Sequence, residues 1–470
     1  MHKWLYRYRR PLILFFLLVA FALRYYGAVS IPPVWDEVYN EFPDARRISF
    51  SKGNINIPIV DTTPEGGVML PKYVIYLGWT IFGNSLIGAR LPFILSGVFL
   101  VLLIYLIVKK YIGIEAALIS ALLASISQYC VGASRWSDSQ SLSMIIALVS
   151  LFVFYRALLD SNKYMILLNG LLIGIACWFY ENLIFLIPIY IIFLLVCPKY
   201  RSWLKSKYLW WSFVIALFAA APLVVMTLNS GAERFKYIYA ETAVGLSLNA
   251  IGLYLGELIL LVIKNFPDLF EFVAKSLDSE APPANFLFGI IILVSVVRSF
   301  KSKQPFIRLL VVWFMFNFIV FSFLRRNDVI QSIWSLGSLD WGSLGFMAGL
   351  ILAANQLYLI AKKKDKRGAA IFIILVTFIL FKTWDFVSYP LNSYFPVREY
   401  LLKTAHFGDV AYLKSAGKTE DAKEILKRIY KLAKNKRTKY RAAWELANIL
   451  KSEGKNQEAE EYLSIIQRGS

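Results

Sequence analysis

Long apolar segments, separated by short polar or basic connections, recur along most of the chain. An apolar stretch of about 18 residues or more can cross a bilayer as a helix. Segments near that length predict about eleven membrane-spanning helices, over residues 11–29, 91–108, 113–130, 139–159, 164–180, 182–197, 209–229, 284–300, 306–324, 338–360 and 368–386. The pattern therefore predicts an all-α polytopic membrane protein, integral to the cell membrane.

Two further apolar stretches are not predicted to span. Residues 73–82 are too few to cross a bilayer. Residues 246–263 carry a glutamate, Glu257, and a span there would place the basic residues that follow on the wrong side. Residues 73–82 are predicted to lie in the outer interface of the membrane, and residues 246–263 are predicted to form a helix that lies in that interface or packs against the bundle.

Basic residues set the orientation of the predicted helices. Lys3, Arg7, Arg9 and Arg10 precede the first span, and later basic clusters fill every second connection, at 109–110, 199–207, 298–303 and 362–367. Short cytoplasmic connections are enriched in Lys and Arg. The N-terminus is therefore predicted to be cytoplasmic, and the net charge of +20 is interpreted as a topology signal, with no nucleic-acid partner.

Composition agrees with a membrane protein, because 58% of the residues are hydrophobic and only 17% are charged, against about a quarter charged in soluble domains. The three cysteines lie inside apolar segments, and the two histidines, His2 and His406, lie near the N-terminus and in the polar C-terminal region. This leaves no metal site built from His and Cys. Any proton transfer is expected to depend on carboxylates.

Two domains are predicted. Residues 1–390 form the membrane domain, with a long outer loop over 30–90, and residues 391–470 are abruptly polar. The polar region contains a repeat, in which the pattern starting at Leu413-Lys414-Ser415 and passing through Gly417 recurs from Leu450-Lys451-Ser452 through Gly454. Such a repeat resembles tetratricopeptide helix pairs. An odd number of spans predicts that this small α-helical domain is extracytoplasmic.

Charged residues gather in the connections that are predicted to face outward. They are Trp35-Asp36-Glu37-Val38-Tyr39, Ser134-Arg135-Trp136-Ser137-Asp138, Tyr180-Glu181 and Arg325-Arg326. Each group has a simpler interpretation: a solvated loop for Asp36 and Glu37, a helix cap for Asp138, a hairpin for Glu181, and cations that reach lipid headgroups. Together on one face, they predict a cleft that binds an anion and carries acids.

The order of motifs resembles a known family. Arg24 near the end of the first span is followed by the Trp35–Tyr39 motif, Pro71-Lys72-Tyr73, Ala89-Arg90-Leu91-Pro92, Ser134-Arg135 with Asp138, and Gly170-x-x-x-Gly174. The chain resembles the GT-C glycosyltransferases of the protein O-mannosyltransferase and aminoarabinose transferase type, called family-39-like. The resemblance is close over residues 10–200 and beyond them extends only to topology.

The resemblance implies a GT-C bundle that moves a sugar from a polyprenyl-phosphate or dolichyl-phosphate donor to an extracytoplasmic protein, lipid or glycan acceptor, with inversion. It implies catalytic roles for Asp36, Glu37 and Asp138. It also implies that Arg135 lies beside the donor phosphate. The gathering of cations at outer helix ends further predicts Arg325, Arg326, Lys72 and Arg24 as phosphate ligands, in a cleft that also contains Tyr39, Tyr180 and Glu181. Membrane lipids are the remaining expected partners.

The chain departs from the family at two places. Many relatives have His-Pro-Pro where this chain has Leu70-Pro71-Lys72, and many have Thr-Lys near Tyr180. No cofactor is predicted as certain, and a divalent cation is left open.

Three other functions remain as alternatives. A transporter or lipid flippase would place ionisable residues in the middle of helices and repeat its halves. An O-antigen ligase or polymerase also combines many helices with a tetratricopeptide tail, but lacks an Asp-Glu loop after the first helix. A scaffold that presents the repeat domain is the third alternative.

Overall fold

The computed structural model describes residues 2–30, 37, 41–42, 45, 48–51, 54–56, 70–137, 139–221, 284–323, 336–362, 366–388, 410, 414, 417, 419–432 and 436–469. The membrane domain contains α1 (His2–Ser30), α2 (Leu70–Phe82), α3 (Leu86–Tyr111), α4 (Ile114–Ile126), α5 (Gln128–Gly132), α6 (Gln140–Leu159), α7 (Lys163–Ala176), α8 (Leu186–Val196), α9 (Lys207–Ala219), α10 (Ala284–Ser299), α11 (Pro305–Phe323), α12 (Leu336–Lys362) and α13 (Lys366–Ser388). Two 3₁₀ helices, Glu181–Phe185 and Pro198–Lys205, flank α8. A short antiparallel hairpin, β1 (Ser49–Ser51) with β2 (Asn54–Asn56), lies between α1 and α2.

Two described helices, α3 and α6, are long and apolar enough to cross a membrane by length and composition. The other apolar helices have shorter apolar cores, such as Ile114–Ile126, Lys163–Ala176 and Lys207–Ala219. Large apolar side chains such as Leu18, Phe99 and Phe218 are exposed on these helices, as lipid-facing positions would be. The predicted count of eleven spans stays a prediction, and residues 246–263 lie outside the described residues.

One predicted span is not a single helix. The segment 113–130 is interrupted at Ser127, whose backbone is extended (φ −66°, ψ 124°), so that α4 ends at Ile126 and α5 starts at Gln128. An interrupted helix leaves the carbonyl groups of its last turn without partners inside the helix. Side chains from other helices must bond to them in a membrane.

Small residues allow the closest helix crossings. Gly170 and Gly174 of α7 lie against the backbone of α9 at Ser212 and Ala216, and a Cβ on either glycine would clash with a carbonyl oxygen there. This is the close packing that small-xxx-small patterns give in membranes. At the other side of the bundle, α13 packs on α1 through a stacked pair of rings, Tyr26 and Trp384.

The described part of the C-terminal region includes three helices, α14 (Thr419–Leu432), α15 (Lys436–Ser452) and α16 (Asn456–Gly469), around a core that includes Ala422, Leu426, Leu446 and Ala459. Equivalent positions of the sequence repeat have matching structure. Gly417 and Gly454 both adopt positive φ (72° and 77°), and each donates its N–H to a lysine carbonyl three residues earlier. Glycine tolerates this conformation at no steric cost. The comparison with tetratricopeptide pairs stays a prediction.

Candidate active site

A buried ion pair joins the loop after α1 to the start of α3. Glu37 is 1% exposed and Arg90 is 0% exposed. Arg90 Nε donates to Glu37 Oε1 at 2.9 Å, and Arg90 Nη2 donates to Glu37 Oε2 at 2.5 Å. A bidentate pair of this kind fixes orientation as well as charge.

The same pair holds two further segments. Arg90 Nη1 donates to the carbonyl of Ala28 near the end of α1, at 2.5 Å. The backbone N–H of Ser137 donates to Glu37 Oε1 at 2.7 Å. We call Glu37, Arg90, Ala28 and Ser137 the carboxylate clamp, because one carboxylate connects three parts of the chain that are far apart in sequence.

The clamp brings together the two segments that carry the predicted catalytic acids. Asp36 directly precedes Glu37, and Asp138 directly follows Ser137. Asp36 and Asp138 themselves lie outside the described residues, as do Tyr39, Arg325 and Arg326. Both carboxylate oxygens of Glu37 accept hydrogen bonds in this arrangement. The catalytic role of Glu37 stays a prediction.

Arg24 has a role that the sequence analysis did not predict. Its guanidinium is fully buried and donates to Ser134 Oγ and to the carbonyls of Ala20, Ser125, Ala124 and Cys130, at 2.8 to 3.3 Å. An arginine has five N–H groups, and all five are used here. The prediction that Arg24 binds the donor phosphate is thus not supported by its geometry: Arg24 instead bonds the carbonyls left by the break at Ser127.

Other side chains also donate hydrogen bonds to carbonyls near this helix break. Thr383 of α13 donates its hydroxyl to the carbonyl of Ile126, and Ser134 donates to the carbonyl of Cys130 at 2.7 Å. Gly97 of α3 faces them, and a Cβ there would come within 2.6 Å of Arg24 Nε. The 124–134 region is therefore held by α1, α3 and α13 together, directly before Arg135.

Arg135 is the predicted phosphate ligand that the structure describes most fully. Its side chain is buried (3% exposed), and its guanidinium lies 5.4 Å from the centroid of the Trp136 ring. Burial, with a smaller effect of the Arg90 guanidinium nearby, lowers the pKa of Arg135 well below its usual range. An anion bound beside this guanidinium would offset the effect of burial and favour its charged form.

Lys72 and Tyr180 lie in neighbouring segments. Lys72 is buried in the first turn of α2, and the N–H of Leu70 at the start of that helix donates to the carbonyl of Trp178 at 3.3 Å. Tyr180 is half-buried and precedes the 3₁₀ helix that begins at Glu181. The structure thus joins the α2 motif to the Tyr180–Glu181 connection, as expected for one cleft, while the side chain of Glu181 lies outside the described residues.

Arg90 belongs to the Ala89-Arg90-Leu91-Pro92 motif, but the sequence analysis predicts no role for its side chain. A signal was present, since an arginine inside the long apolar helix α3 is costly unless it has a partner. Ser134 and Gly97 gave no signal of their own, because their contacts exist only after folding.

Comparisons with known proteins agree with this arrangement. Residues 66–226, which include Lys72, Arg90, Arg135 and Tyr180, match the model of the dolichyl-phosphate-mannose-protein mannosyltransferase family. The structure of ArnT from Cupriavidus metallidurans bound to undecaprenyl phosphate is similar, with a TM-score of 0.56, 13% identity, and coverage of 96% of this chain and 74% of that one. The GT-C fold is confirmed. With it, the predicted all-α architecture is confirmed, and the match over residues 66–226 agrees with the family resemblance.

Two other similar proteins are longer than this chain. The oligosaccharyltransferase of Archaeoglobus fulgidus in the apo form has a TM-score of 0.51 and 15% identity, and the match covers 83% of this chain and 57% of that one. An uncharacterized protein of Aquifex aeolicus is 22% identical over 320 residues, which are 66% of this chain and 59% of that protein. This chain therefore spans a little over half of each of these two.

Proposed function

We propose that this protein is a membrane glycosyltransferase that moves a sugar from a polyprenyl-phosphate or dolichyl-phosphate donor to an extracytoplasmic acceptor, with inversion. The observation that carries the proposal is the carboxylate clamp, because it holds the Asp36 and Arg135–Asp138 segments together inside a GT-C fold. The similarity to ArnT, a structure bound to undecaprenyl phosphate, supports the class of donor.

The donor phosphate is proposed to bind near Arg135 and Lys72, with Arg325 and Arg326 as further ligands. Arg135 and Lys72 are both buried, and Arg135 lies two residues before Ser137 of the clamp. Guanidinium groups match phosphate geometry, and cations held before the reaction stabilise charge that develops on the leaving group. Arg24 is left out of this set because its five N–H groups bond to the protein.

Catalysis is proposed to proceed by one displacement. Asp36 accepts the proton of the acceptor hydroxyl or amine, the freed nucleophile attacks the anomeric carbon, and the bond from that carbon to the phosphate oxygen breaks with its electron pair on the lipid phosphate. The leaving phosphate needs no proton. Asp138 is proposed to orient the acceptor, and Glu37 positions Asp36 through the clamp.

No group of three or more His, Cys, Asp and Glu residues is placed to hold a metal ion among the residues that the structure describes. A divalent cation is therefore given no step here.

Two contacts support the proposed topology. The bond from Thr383 to Ile126 and the stacking of Trp384 on Tyr26 place the final turns of α13 beside the end of α1 that carries Arg24. The connection to the C-terminal helices thus leaves α13 at the end of the bundle that carries the clamp. We propose that both face outward, and that the C-terminal domain shapes access of the acceptor.

The test uses purified protein in detergent with polyprenyl-phosphate-linked sugars, measuring release of the polyprenyl phosphate. Asp36→Asn is expected to abolish release. Asp160→Asn, which removes a half-exposed carboxylate paired with Arg156, is the matched control and should keep full activity. Wild-type turnover by Asp36→Asn would overturn the assignment. Lipid translocation without sugar transfer would favour the flippase alternative.

A further inference from the structure

The C-terminal domain has an uneven distribution of charge. Eight basic residues and no acidic residue fall between positions 425 and 444. They are Lys427, Arg428, Lys431, Lys434, Lys436, Arg437, Lys439 and Arg441. Seven of them lie in the last two turns of α14, which ends at Leu432, or in the first two turns of α15, which begins at Lys436. We call this end of the domain the basic end.

The opposite end of the domain is acidic. The first turn of α14 contains Glu420 and Asp421, and α16 carries Glu458 in its first turn, followed by Glu460 and Glu461. Lys423 there is paired with Glu420 and Glu453. The helices run antiparallel. The basic end therefore lies where α14 ends and α15 begins, and the acidic end lies where α15 ends and α16 begins.

The basic residues at the start of α15 do not stabilise that helix. The N-terminus of a helix carries partial positive charge, and acidic residues there are favourable while basic residues are not. α14 and α16 follow this preference, whereas α15 begins with Lys436 and Arg437 and has no acid in its first turn. The basic residues near the end of α14 suit its helix dipole, so only those at the start of α15 need another explanation.

An exposed aromatic residue lies beside the basic residues. Trp444 is 55% exposed, and Arg441, one turn earlier on α15, has a side chain that is 45% exposed and lies 4.0 Å from Glu445 Oε1. Tyr430 of α14 lies 5.1 Å from Lys439 Nζ. Tryptophan flanked by lysine and arginine is typical of surfaces that contact the headgroup region of a membrane.

A membrane surface is always within reach of this domain. Residues 389–409 separate α13 from Val410, and a chain of that length spans at most about 70 Å. Tethering gives a high effective concentration, so that a weak contact suffices. This holds on either side of the bilayer and does not depend on the proposed topology.

We propose that the basic end of the C-terminal domain docks on the anionic lipid headgroups of the membrane that holds the chain. The acidic end then points away from the surface, which fixes the orientation of the domain. Each lysine or arginine near an anionic surface changes binding by about fivefold, and the attraction is screened by salt.

The test uses the full chain in nanodiscs of phosphatidylcholine alone or with phosphatidylglycerol. A fluorophore is attached through Thr438→Cys near the start of α15, and lipids with spin-labelled headgroups act as the quencher. The native cysteines, Cys130, Cys177 and Cys197, are all buried. Quenching is expected to be stronger with phosphatidylglycerol and to decline as salt is raised.

Two variants with equal loss of charge separate the basic end from net charge. Lys431→Gln/Lys436→Gln/Arg437→Gln should weaken docking on the order of a hundredfold, whereas Lys418→Gln/Lys451→Gln/Lys455→Gln, at the acidic end, should leave it unchanged. Equal quenching in both lipids, with no dependence on salt, would overturn the proposal without any variant. A fluorophore that responds to an added acidic polysaccharide, and not to lipid, would make the basic end a binding site for an acidic acceptor and would also overturn it.

Discussion

The carboxylate clamp predicts a specific pattern of mutational effects. In Glu37→Gln, the side chain keeps its shape, but one of its two oxygens becomes an NH₂ group. Glu37 Oε1 accepts from Arg90 Nε and Ser137 N, and Oε2 accepts from Arg90 Nη2. The new NH₂ must therefore face an N–H donor in either orientation, and Arg90 stays charged and buried.

Removing one partner of a buried pair costs about 3–5 kcal/mol, a large part of the net stability of about 5–15 kcal/mol of a typical folded protein. Glu37→Gln and Arg90→Gln should each lower the unfolding temperature in detergent and reduce sugar transfer through kcat, because the residue directly after Asp36 loses its partner. The double variant removes both charges. Its loss of unfolding free energy is expected to be smaller than the sum of the losses in the two single variants.

The assay is a double-mutant cycle by thermal unfolding, with transfer kinetics measured on the same preparations. Asp160→Asn is the control, because half-exposed pairs such as Arg156–Asp160 contribute about 0–1 kcal/mol. Glu37→Gln with wild-type unfolding temperature, or single-variant effects that simply add, would refute the clamp as a buried, coupled pair.

Three further predictions follow from described contacts. Arg24→Gln should lower the unfolding temperature and leave the donor affinity of the folded protein unchanged, whereas Arg135→Gln should weaken donor binding with little loss of stability. Thermal unfolding and donor titration measure the two effects, and the opposite pattern would reverse the roles of the two arginines. Gly97→Ala should destabilise the fold by about 1–3 kcal/mol through overpacking, and unchanged thermal unfolding would count against this crossing. Hydrogen bonds, the largest from Lys423, lower the pKa of Glu453, so C-terminal domain stability should fall as the pH drops below about 4. Hydrogen exchange in that domain would test this, and Glu453→Gln should remove the dependence.

Much of the architecture could be predicted from local sequence signals. Apolar segments of membrane length predicted α3 and α6, and the repeated glycines predicted the two turns at Gly417 and Gly454, because only the local backbone decides these features. The family resemblance could likewise be recognised from the order of short motifs along the sequence, without knowing which residues contact each other.

The parts that could not be predicted depend on contacts between distant residues. The break at Ser127 lies within an apolar segment and is tolerated because Arg24 and Thr383, from α1 and α13, bond the freed carbonyls. For the same reason Arg24 resembled a phosphate ligand in sequence, since nothing local shows that its five N–H groups are occupied. The pairing of Glu37 with Arg90 was also not predicted, because the two residues lie 53 positions apart in sequence.

The measurement that tests the central claim most directly is a structure of this protein with a polyprenyl phosphate bound. The account predicts that the phosphate lies beside Arg135 and Lys72, next to the segment that carries Asp36, with the Glu37–Arg90 pair intact and Arg24 still bonded to the carbonyls of Ala124 and Cys130. A phosphate bound at the other end of the bundle, or one bound by Arg24 with Arg135 uninvolved, would contradict it.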